Sequence, residues 1–175
     1  EAGGADPEAD AGGQRHPRDL LTTTILAQIL RRTMVLQKQR VAIIGSGNWG
    51  SAIATIAGYN TMRHKDVFEP TVNMYVYEEI INGEKLTDII NREHVNTKYL
   101  PHARLPDNVV AVPKAEEAAR DATLLVFVLP HQFILNVCKS LKDAIAPGAH
   151  AISMIKGVDV ARHHISSYAD GMRKA

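Results

Sequence analysis

The stretch VAIIGSGNWGSAIA, residues 41–54, places an apolar run, three glycines and a second apolar segment in succession. The run VAIIG is typical of a buried parallel strand. The segment after the glycines carries apolar residues at helical spacing as far as Gly58 and Asn60, two residue types that often end helices. The stretch therefore predicts a strand, a tight glycine turn and a helix.

Strands and helices alternate in the same way along the chain that follows. Apolar runs predict strands at 72–79, 109–113, 123–130 and 150–156. Amphipathic segments predict helices at 84–93, 114–122 and 131–148, the last with Phe133, Val137, Leu141 and Ile145 on one face. The polar, proline-containing segment 96–108 is predicted to be a loop. This alternation predicts an α/β, doubly wound (Rossmann) fold with a mostly parallel sheet.

A ligand is expected at the carboxyl edge of this sheet, since open parallel sheets bind ligands where their strands end. The segments that follow predicted strands are 45–50, 78–79, 130–133 and 156–159. Candidate binding residues are therefore sought in these four segments.

Composition excludes several classes of function. The chain has 175 residues, 45% of them hydrophobic, and a net charge of +1, so no overall field attracts nucleic acid or a membrane surface. Cys138 is the only cysteine, which excludes an intrachain disulfide and a cysteine metal cluster. His163 and His164 lack the acidic neighbours of a metal site, so no metal is predicted. No run reaches the roughly 18 apolar residues of a membrane-spanning helix.

Three regions are predicted along the chain. Residues 1–39 form a disordered or linker extension in which 18–38 could be a short helix, residues 40–160 the Rossmann domain, and 161–175 a short tail. The helix of the extension is either the remnant of an organelle-targeting segment or part of a linker. The acidic residues before it favour a linker, because transit peptides contain few acids.

The glycines fit the pattern G-x-G-x-x-G between a strand and a helix, which predicts a dinucleotide-binding turn. Gly45 would make the tight turn, Gly47 would let a pyrophosphate approach the main chain, and Gly50 would let helix and strand pack closely. The helix N-terminus would supply free N–H groups and a positive dipole end. The alternative is a tight turn that binds nothing.

Two adjacent acids, Glu78 and Glu79, end the second predicted strand. An acid at this place accepts hydrogen bonds from the adenosine ribose, and a carboxylate there would repel a 2′-phosphate, so NAD is predicted rather than NADP. The spacing from Gly50 to Glu78 is 78 − 50 = 28 residues, against about 20 in the usual pattern. The alternative is that both glutamates are solvated surface charge.

At this point the chain resembles a known family. Four stretches carry the resemblance, in order, between about residues 40 and 159: IGSGNWGSAIA, YEEIINGEKLTDIINREHVNTKYLPHARLPDNVVAVP, FVLPHQFI and ISMIKGVD. They are similar to NAD-dependent glycerol-3-phosphate dehydrogenase of the eukaryotic cytosolic type. The combination of GSGNWGSA, KYLP, PHQF and IKG is far more selective than a glycine turn alone.

The resemblance implies particular site residues. The cofactor turn corresponds to Gly45, Ser46, Gly47, Asn48, Trp49 and Gly50. The aromatic cofactor contacts correspond to Tyr77, often phenylalanine in the family, and Phe133, while the substrate-contacting lysine corresponds to Lys156. A lysine at a strand end suits a phosphate or a polarised carbonyl. Core packing of Phe133 and a surface position of Lys156 are the alternatives.

The resemblance also implies an activity. The family reduces dihydroxyacetone phosphate to glycerol 3-phosphate with NADH and runs the reverse oxidation, in the cytosol and as homodimers. Its proton-donating lysine lies in a helical C-terminal domain that is absent from these 175 residues. We therefore expect no catalytic residue in this chain, and NAD binding with little or no turnover.

Two other functions stay open. The chain could be a non-catalytic NAD-binding or regulatory module, which a continuation into a helical domain carrying a lysine would exclude. It could also belong to another two-domain dehydrogenase with the same N-terminal layout. The co-occurrence of KYLP, PHQF and IKGVD argues against that second alternative.

Overall fold

The glycine stretch forms the first strand and the start of the first helix of the fold, and a second strand follows them. In the computed structural model, residues 38–155, 158–161 and 164–167 are described. Their elements are β1 (Gln39–Ile44), α1 (Asn48–Arg63), β2 (Phe68–Tyr75), β3 (Ile80–Ile81), β4 (Glu84–Lys85), α2 (Leu86–Glu93), β5 (Val95–Asn96), β6 (Leu100–Arg104), β7 (Val109–Val112), α3 (Ala115–Ala118), β8 (Leu124–Phe127), a 3₁₀ helix (His131–Phe133), α4 (Ile134–Leu141), β9 (His150–Ser153), β10 (Val158–Ala161) and β11 (His164–Ser167).

Five of the strands form one parallel sheet in the order β7-β2-β1-β8-β9. The chain moves from β1 to β2 and β7 on one side, then returns to place β8 and β9 on the other. The strand order therefore reverses between β1 and β8, where sheets of this kind open a crevice for a ligand. The predicted doubly wound α/β fold is confirmed.

The core lies on both faces of this sheet, as a strand covered by helices on both sides requires. Val41 and Ile43 of β1 belong to one buried cluster, which also holds residues of α1 and α2. Ala42 and Ile44 belong to a second cluster, which holds residues of α3 and α4. The uninterrupted apolar run 41–44 in β1 thus reflects burial on two sides.

The second strand differs from its predicted bounds. It runs from Phe68 to Tyr75 instead of 72–79, and it includes Pro70. Between the pairs Gln39–Phe68 and Val41–Val72 the register shifts, so β2 contains extra residues opposite β1. A proline fits at such a bulge because no ladder hydrogen bond is required of it there. The apolar pattern alone does not reveal this bulge.

The segment predicted as a loop, 96–108, is partly ordered as a hairpin. β5 pairs with β6 in an antiparallel two-stranded sheet, and Asn96 in β5 is fully buried. β5 has only two residues, and alternation needs four or more to be visible. β6 contains Pro101, a residue type that argues against a strand in a sequence.

The later helices are shorter than predicted. Segment 114–122 yields only the single turn α3, and 131–148 yields the 3₁₀ helix followed by α4. Val137 and Leu141 are buried as predicted, whereas Phe133 is exposed. The alternative that Phe133 is a core residue is therefore wrong.

The end of the described chain forms a strand pair. β10 and β11 are antiparallel. The predictions made for residues 1–37 and for Lys156 fall outside the described residues. Among the residues that are described, no helix has the length and apolar character needed to cross a bilayer.

We predict that Asn108→Asp destabilises the fold. The Asn108 side-chain amide donates to the carbonyl oxygens of Gly58 and Pro70 and to Thr61 Oγ1, and so joins the end of α1 to the bulge in β2. A carboxylate cannot donate, which leaves these acceptors facing a negative charge and lowers the free energy of unfolding by about 1–3 kcal/mol. Urea denaturation measures the change.

The matched control is Asn136→Asp on α4, where the original side chain is exposed. A negative charge in the first turn of a helix is tolerated, so the midpoint of unfolding should stay close to that of the original chain. Equal losses in the two variants would contradict the role given to Asn108.

Candidate cofactor site

Gly45 is required by the protein itself. It follows β1 with φ +121°, a backbone conformation that favours glycine. A Cβ atom at this position would lie 3.0 Å from the carbonyl carbon of Val128 and 3.0 Å from the Leu129 nitrogen. The backbone directly after the neighbouring strand β8 thus occupies the space of a side chain. This agrees with the tight turn predicted at Gly45.

Gly50 is also required by internal packing. It is the third residue of α1, and a Cβ atom there would lie 2.2 Å from the carbonyl oxygen of Gly45. No side chain can replace this contact without moving the helix away from the end of β1. The close helix–strand packing predicted for Gly50 follows directly from this distance.

Gly47 differs from both neighbours in the pattern. Among the residues that the structure describes, no atom lies within 4 Å of a Cβ atom built on Gly47, so none of them gives a reason for a glycine there. The open space lies at the start of α1, where Gly47 is the N-cap. This is the position at which the sequence predicts that a pyrophosphate approaches the main chain.

The N-terminus of α1 suits an anion. The N-cap residue of this sixteen-residue helix, Gly47, makes no side-chain capping bond, and the first turn of the helix contains no acidic residue. Its first N–H groups and the positive end of its dipole therefore have no competing carboxylate from its own first turn. Asn48 and Trp49 are exposed beside it. The residues present thus fit a bound dinucleotide phosphate.

Three aromatic side chains follow the ends of adjacent strands and are exposed. Trp49 lies in the first turn of α1 after β1, Tyr77 follows β2, and Phe133 follows β8 in the 3₁₀ helix. Their exposed fractions are 61%, 70% and 51%. Large apolar side chains left in water at a ligand-binding edge are typical of contacts that a ligand or another part of a protein covers.

Glu78 is held by the start of α2. Its carboxylate accepts a hydrogen bond of 2.7 Å from Thr87 Oγ1 and one of 3.3 Å from the Thr87 backbone N–H. Thr87 is the second residue of α2, so its backbone N–H has no partner within the helix. Glu78 is therefore not a solvated surface charge, and it stabilises the N-terminus of α2.

Glu79 is paired with a lysine of the hairpin formed by β5 and β6. Lys98 Nζ lies 2.6 Å from Glu79 Oε1 and 4.8 Å from the centre of the Tyr99 ring. The hydrogen bond from Lys98 to Glu79 raises the pKa of the lysine, which keeps it charged. The two adjacent glutamates thus have different partners.

Two other titratable groups near the sheet are unsuited to acid–base chemistry. Burial raises the pKa of the Cys138 thiol. Burial also raises the pKa of Tyr75 at the end of β2, with smaller effects from Tyr77 and Glu116. Both groups stay protonated near neutral pH, so neither is an activated nucleophile or base.

Sequence reasoning missed Asn96. Its side-chain amide donates to the Ser46 carbonyl oxygen at 2.8 Å and to Ser51 Oγ at 2.9 Å. It joins the hairpin directly to the glycine turn, across 50 residues of sequence. In the sequence, Asn96 is distinguished only by its position two residues before KYLP, one of the motifs of the family resemblance. An asparagine in a polar segment otherwise predicts a turn.

We predict that alanine at Gly50 lowers stability, whereas alanine at Gly47 does not. Gly50→Ala should lower the free energy of unfolding by about 1–3 kcal/mol or more, because its methyl group overlaps the Gly45 carbonyl. Gly47→Ala should leave it nearly unchanged, since φ there is −63° and the space is open. Denaturant unfolding of the ligand-free chain measures both, and an equal loss in the two variants would contradict this account of the turn.

Residues 40–170 match the family described as the NAD-dependent glycerol-3-phosphate dehydrogenase N-terminus. The cytoplasmic NAD(+) glycerol-3-phosphate dehydrogenase of Drosophila melanogaster is 58% identical over 124 residues, which cover 71% of this chain and 34% of that protein. The human cytoplasmic enzyme is 54% identical over 124 residues, covering 71% of this chain and 35% of its own length. The chain thus spans about a third of the curated relatives it matches.

Solved structures agree. Glycerol-3-phosphate dehydrogenase from Saccharomyces cerevisiae superposes with a TM-score of 0.75 at 42% identity, covering 79% of this chain and 39% of that one. The enzyme from Plasmodium falciparum superposes with a TM-score of 0.72 at 33% identity, covering 85% and 40%. With the sheet order, the glycine turn and the extent of the family match, these likenesses show that the chain belongs to the family of NAD-binding N-terminal domains of NAD-dependent glycerol-3-phosphate dehydrogenases.

Proposed function

We propose that this domain binds NAD at the carboxyl edge of its sheet, with the pyrophosphate against the start of α1. The observation that carries the proposal is the contrast among the glycines. Gly45 and Gly50 are required by contacts within the protein, whereas Gly47 borders open space at an uncapped helix N-terminus. A ligand with two phosphates explains a glycine there, because its oxygens must approach the main chain.

The neighbouring residues have separate roles in this proposal. Ser46 and Asn48 flank the pyrophosphate in the turn. The exposed rings of Trp49, Tyr77 and Phe133 cover the apolar faces of the cofactor. Flat aromatic side chains suit this role because they bury area with little loss of side-chain entropy.

Glu78 is proposed to accept hydrogen bonds from the adenosine ribose. Its two oxygens offer about four acceptor sites, of which Thr87 uses two. The bonds to Thr87 hold the carboxylate in one orientation, so the remaining sites are preorganised. A fixed negative charge there also disfavours the 2′-phosphate of NADP.

The reaction proposed for the whole protein is the reduction of dihydroxyacetone phosphate to sn-glycerol 3-phosphate. It is supported by the names of the relatives, which are NAD(+) glycerol-3-phosphate dehydrogenases, several of them cytoplasmic. Reduced NAD supplies the hydride that the substrate carbonyl receives. Lys156 is proposed to contact the substrate through its charge. A cytosolic location and a homodimeric assembly complete the proposal.

For residues 1–175 assayed alone we propose cofactor binding with little or no turnover. They span about a third of the relatives' length, and the proton-donating lysine is expected in the helical domain of the family. Without a proton donor, the developing alkoxide has no partner in the transition state.

We predict that Gly47→Ala weakens NAD binding without unfolding the domain. The methyl group would occupy the space proposed for the pyrophosphate, so affinity should fall about tenfold or more. Titration calorimetry of NAD into the 175-residue chain measures the affinity, and thermal unfolding checks that the fold is intact.

The matched control is Gly148→Ala. Gly148 has φ +75° and lies before β9, at the opposite edge of the sheet. Alanine there should strain the backbone and lower stability, while NAD affinity should not change. Equal NAD affinity in Gly47→Ala and the original chain would show that the turn is not the cofactor site.

We also predict that the 175-residue chain does not measurably oxidise NADH when dihydroxyacetone phosphate is added. The loss of NADH absorbance measures turnover, and a full-length relative provides the positive control. Clear turnover by the chain alone would contradict the proposal that its proton donor lies elsewhere.

A further inference from the structure

We propose that Asn96 is a positioning residue for the cofactor: it fixes the Ser46–Gly47 peptide so that the Gly47 N–H faces the pyrophosphate. The proposal rests on the function proposed above and adds a determinant of affinity outside the glycine turn. Asn96 belongs to β5 of the hairpin, not to any of the four segments that follow strands of the parallel sheet.

The Asn96 side chain uses all its polar groups. It is fully buried. The amide nitrogen donates to the Ser46 carbonyl oxygen at 2.8 Å and to Ser51 Oγ at 2.9 Å. The amide oxygen accepts a hydrogen bond of 3.3 Å from the Tyr99 N–H. A buried amide satisfied on both sides has one orientation, because each rotation would leave a polar group unpaired.

This orientation determines the direction of a backbone N–H. The Ser46 carbonyl accepts from Asn96 and, at 3.2 Å, from the Ser51 hydroxyl. None of the described peptide bonds is cis, and in a planar trans peptide the N–H points opposite to the C=O. Because the Ser46 carbonyl accepts from the buried Asn96 amide, the Gly47 N–H is directed away from Asn96.

Preorganisation of this kind raises affinity. If the Ser46–Gly47 peptide could rotate, binding would have to restrict that rotation, and in some orientations the carbonyl oxygen would face the phosphates. Glycine at position 47 increases the need for an external restraint, since a residue without Cβ restricts its backbone least. Asn96 and Ser51 supply this restraint from the hairpin and from α1.

The decisive variant is Asn96→Asp in the 175-residue chain. It keeps the shape of the side chain and the oxygen that accepts from the Tyr99 N–H. It replaces the amide nitrogen, which donates to the Ser46 carbonyl, by a carboxylate oxygen that cannot donate. We expect NAD affinity, measured by calorimetry, to fall about tenfold or more. Trp49 is the only tryptophan of the chain and lies within the turn. Its fluorescence anisotropy in the ligand-free protein should therefore fall as the turn loosens.

Asn108→Asp is the matched control. It removes an equally well-bonded amide at the other end of α1. It should lower stability while leaving NAD affinity and the Trp49 anisotropy unchanged. A merely structural role of Asn96 predicts that the two variants behave alike in all three measurements, and that result would overturn the proposal.

Asn96→Ser keeps the test decisive if Asn96→Asp does not fold. The shorter serine side chain removes the donor to the Ser46 carbonyl without placing a negative charge beside it. NAD affinity should fall about two- to tenfold with a lower Trp49 anisotropy. Unchanged affinity and anisotropy in Asn96→Ser would overturn the proposal.

Gly47→Ala separates this inference from the proposed function. If Gly47→Ala binds NAD as the original chain does, the turn is not the cofactor site and both proposals fail. If Gly47→Ala binds weakly while Asn96→Asp binds normally, NAD uses the turn, and only the role of Asn96 is overturned.

Discussion

The contact between Gly50 and the carbonyl of Gly45 is the constraint on which the site depends. A Cβ at residue 50 would lie 2.2 Å from that oxygen, so α1 packs on the end of β1 at a distance that only glycine allows. This packing brings the N-terminus of α1 to the point where the strand order reverses between β1 and β8. The positive end of the helix dipole then faces the crevice, which makes the edge suitable for an anionic group.

The hairpin of β5 and β6 supports this edge from outside the parallel sheet. Asn96 joins it to the glycine turn, and Lys98 joins it to Glu79 beyond β2. The hydrogen bonds of the buried Asn96 amide contribute more to holding the hairpin in place than the Lys98–Glu79 ion pair does. Lys98 and Glu79 are both about one-third exposed, so water and salt screen their attraction. Asn96 is fully buried, and an unpaired polar group there has no access to water.

The fold class and the glycine turn could be predicted because their causes are local. Four to six apolar residues followed by glycine indicate a strand buried on both faces, and the pattern of three glycines needs only fourteen residues to recognise. Other features depend on distant partners. Pro70 can lie within β2 because a bulge opposite β1 accommodates it. Asn96 can be buried because its amide donates to Ser51 and Ser46, which lie 45 and 50 residues away in the sequence. No window of sequence contains both members of such a pair.

The sequence by itself determined the succession of the parallel strands with their helices, and the glycine turn, since each follows from residue type at short spacing. Its motifs also resembled those of the family. Only the tertiary structure decided which glycine has open space around it, that Phe133 is exposed, and how the two glutamates are used. Glu78 and Glu79 are adjacent and chemically identical. Glu78 nevertheless accepts a hydrogen bond from Thr87 at the N-terminus of α2, whereas Glu79 pairs with Lys98. Burial and partner are properties of packing between remote segments, so they exist only once the chain is folded.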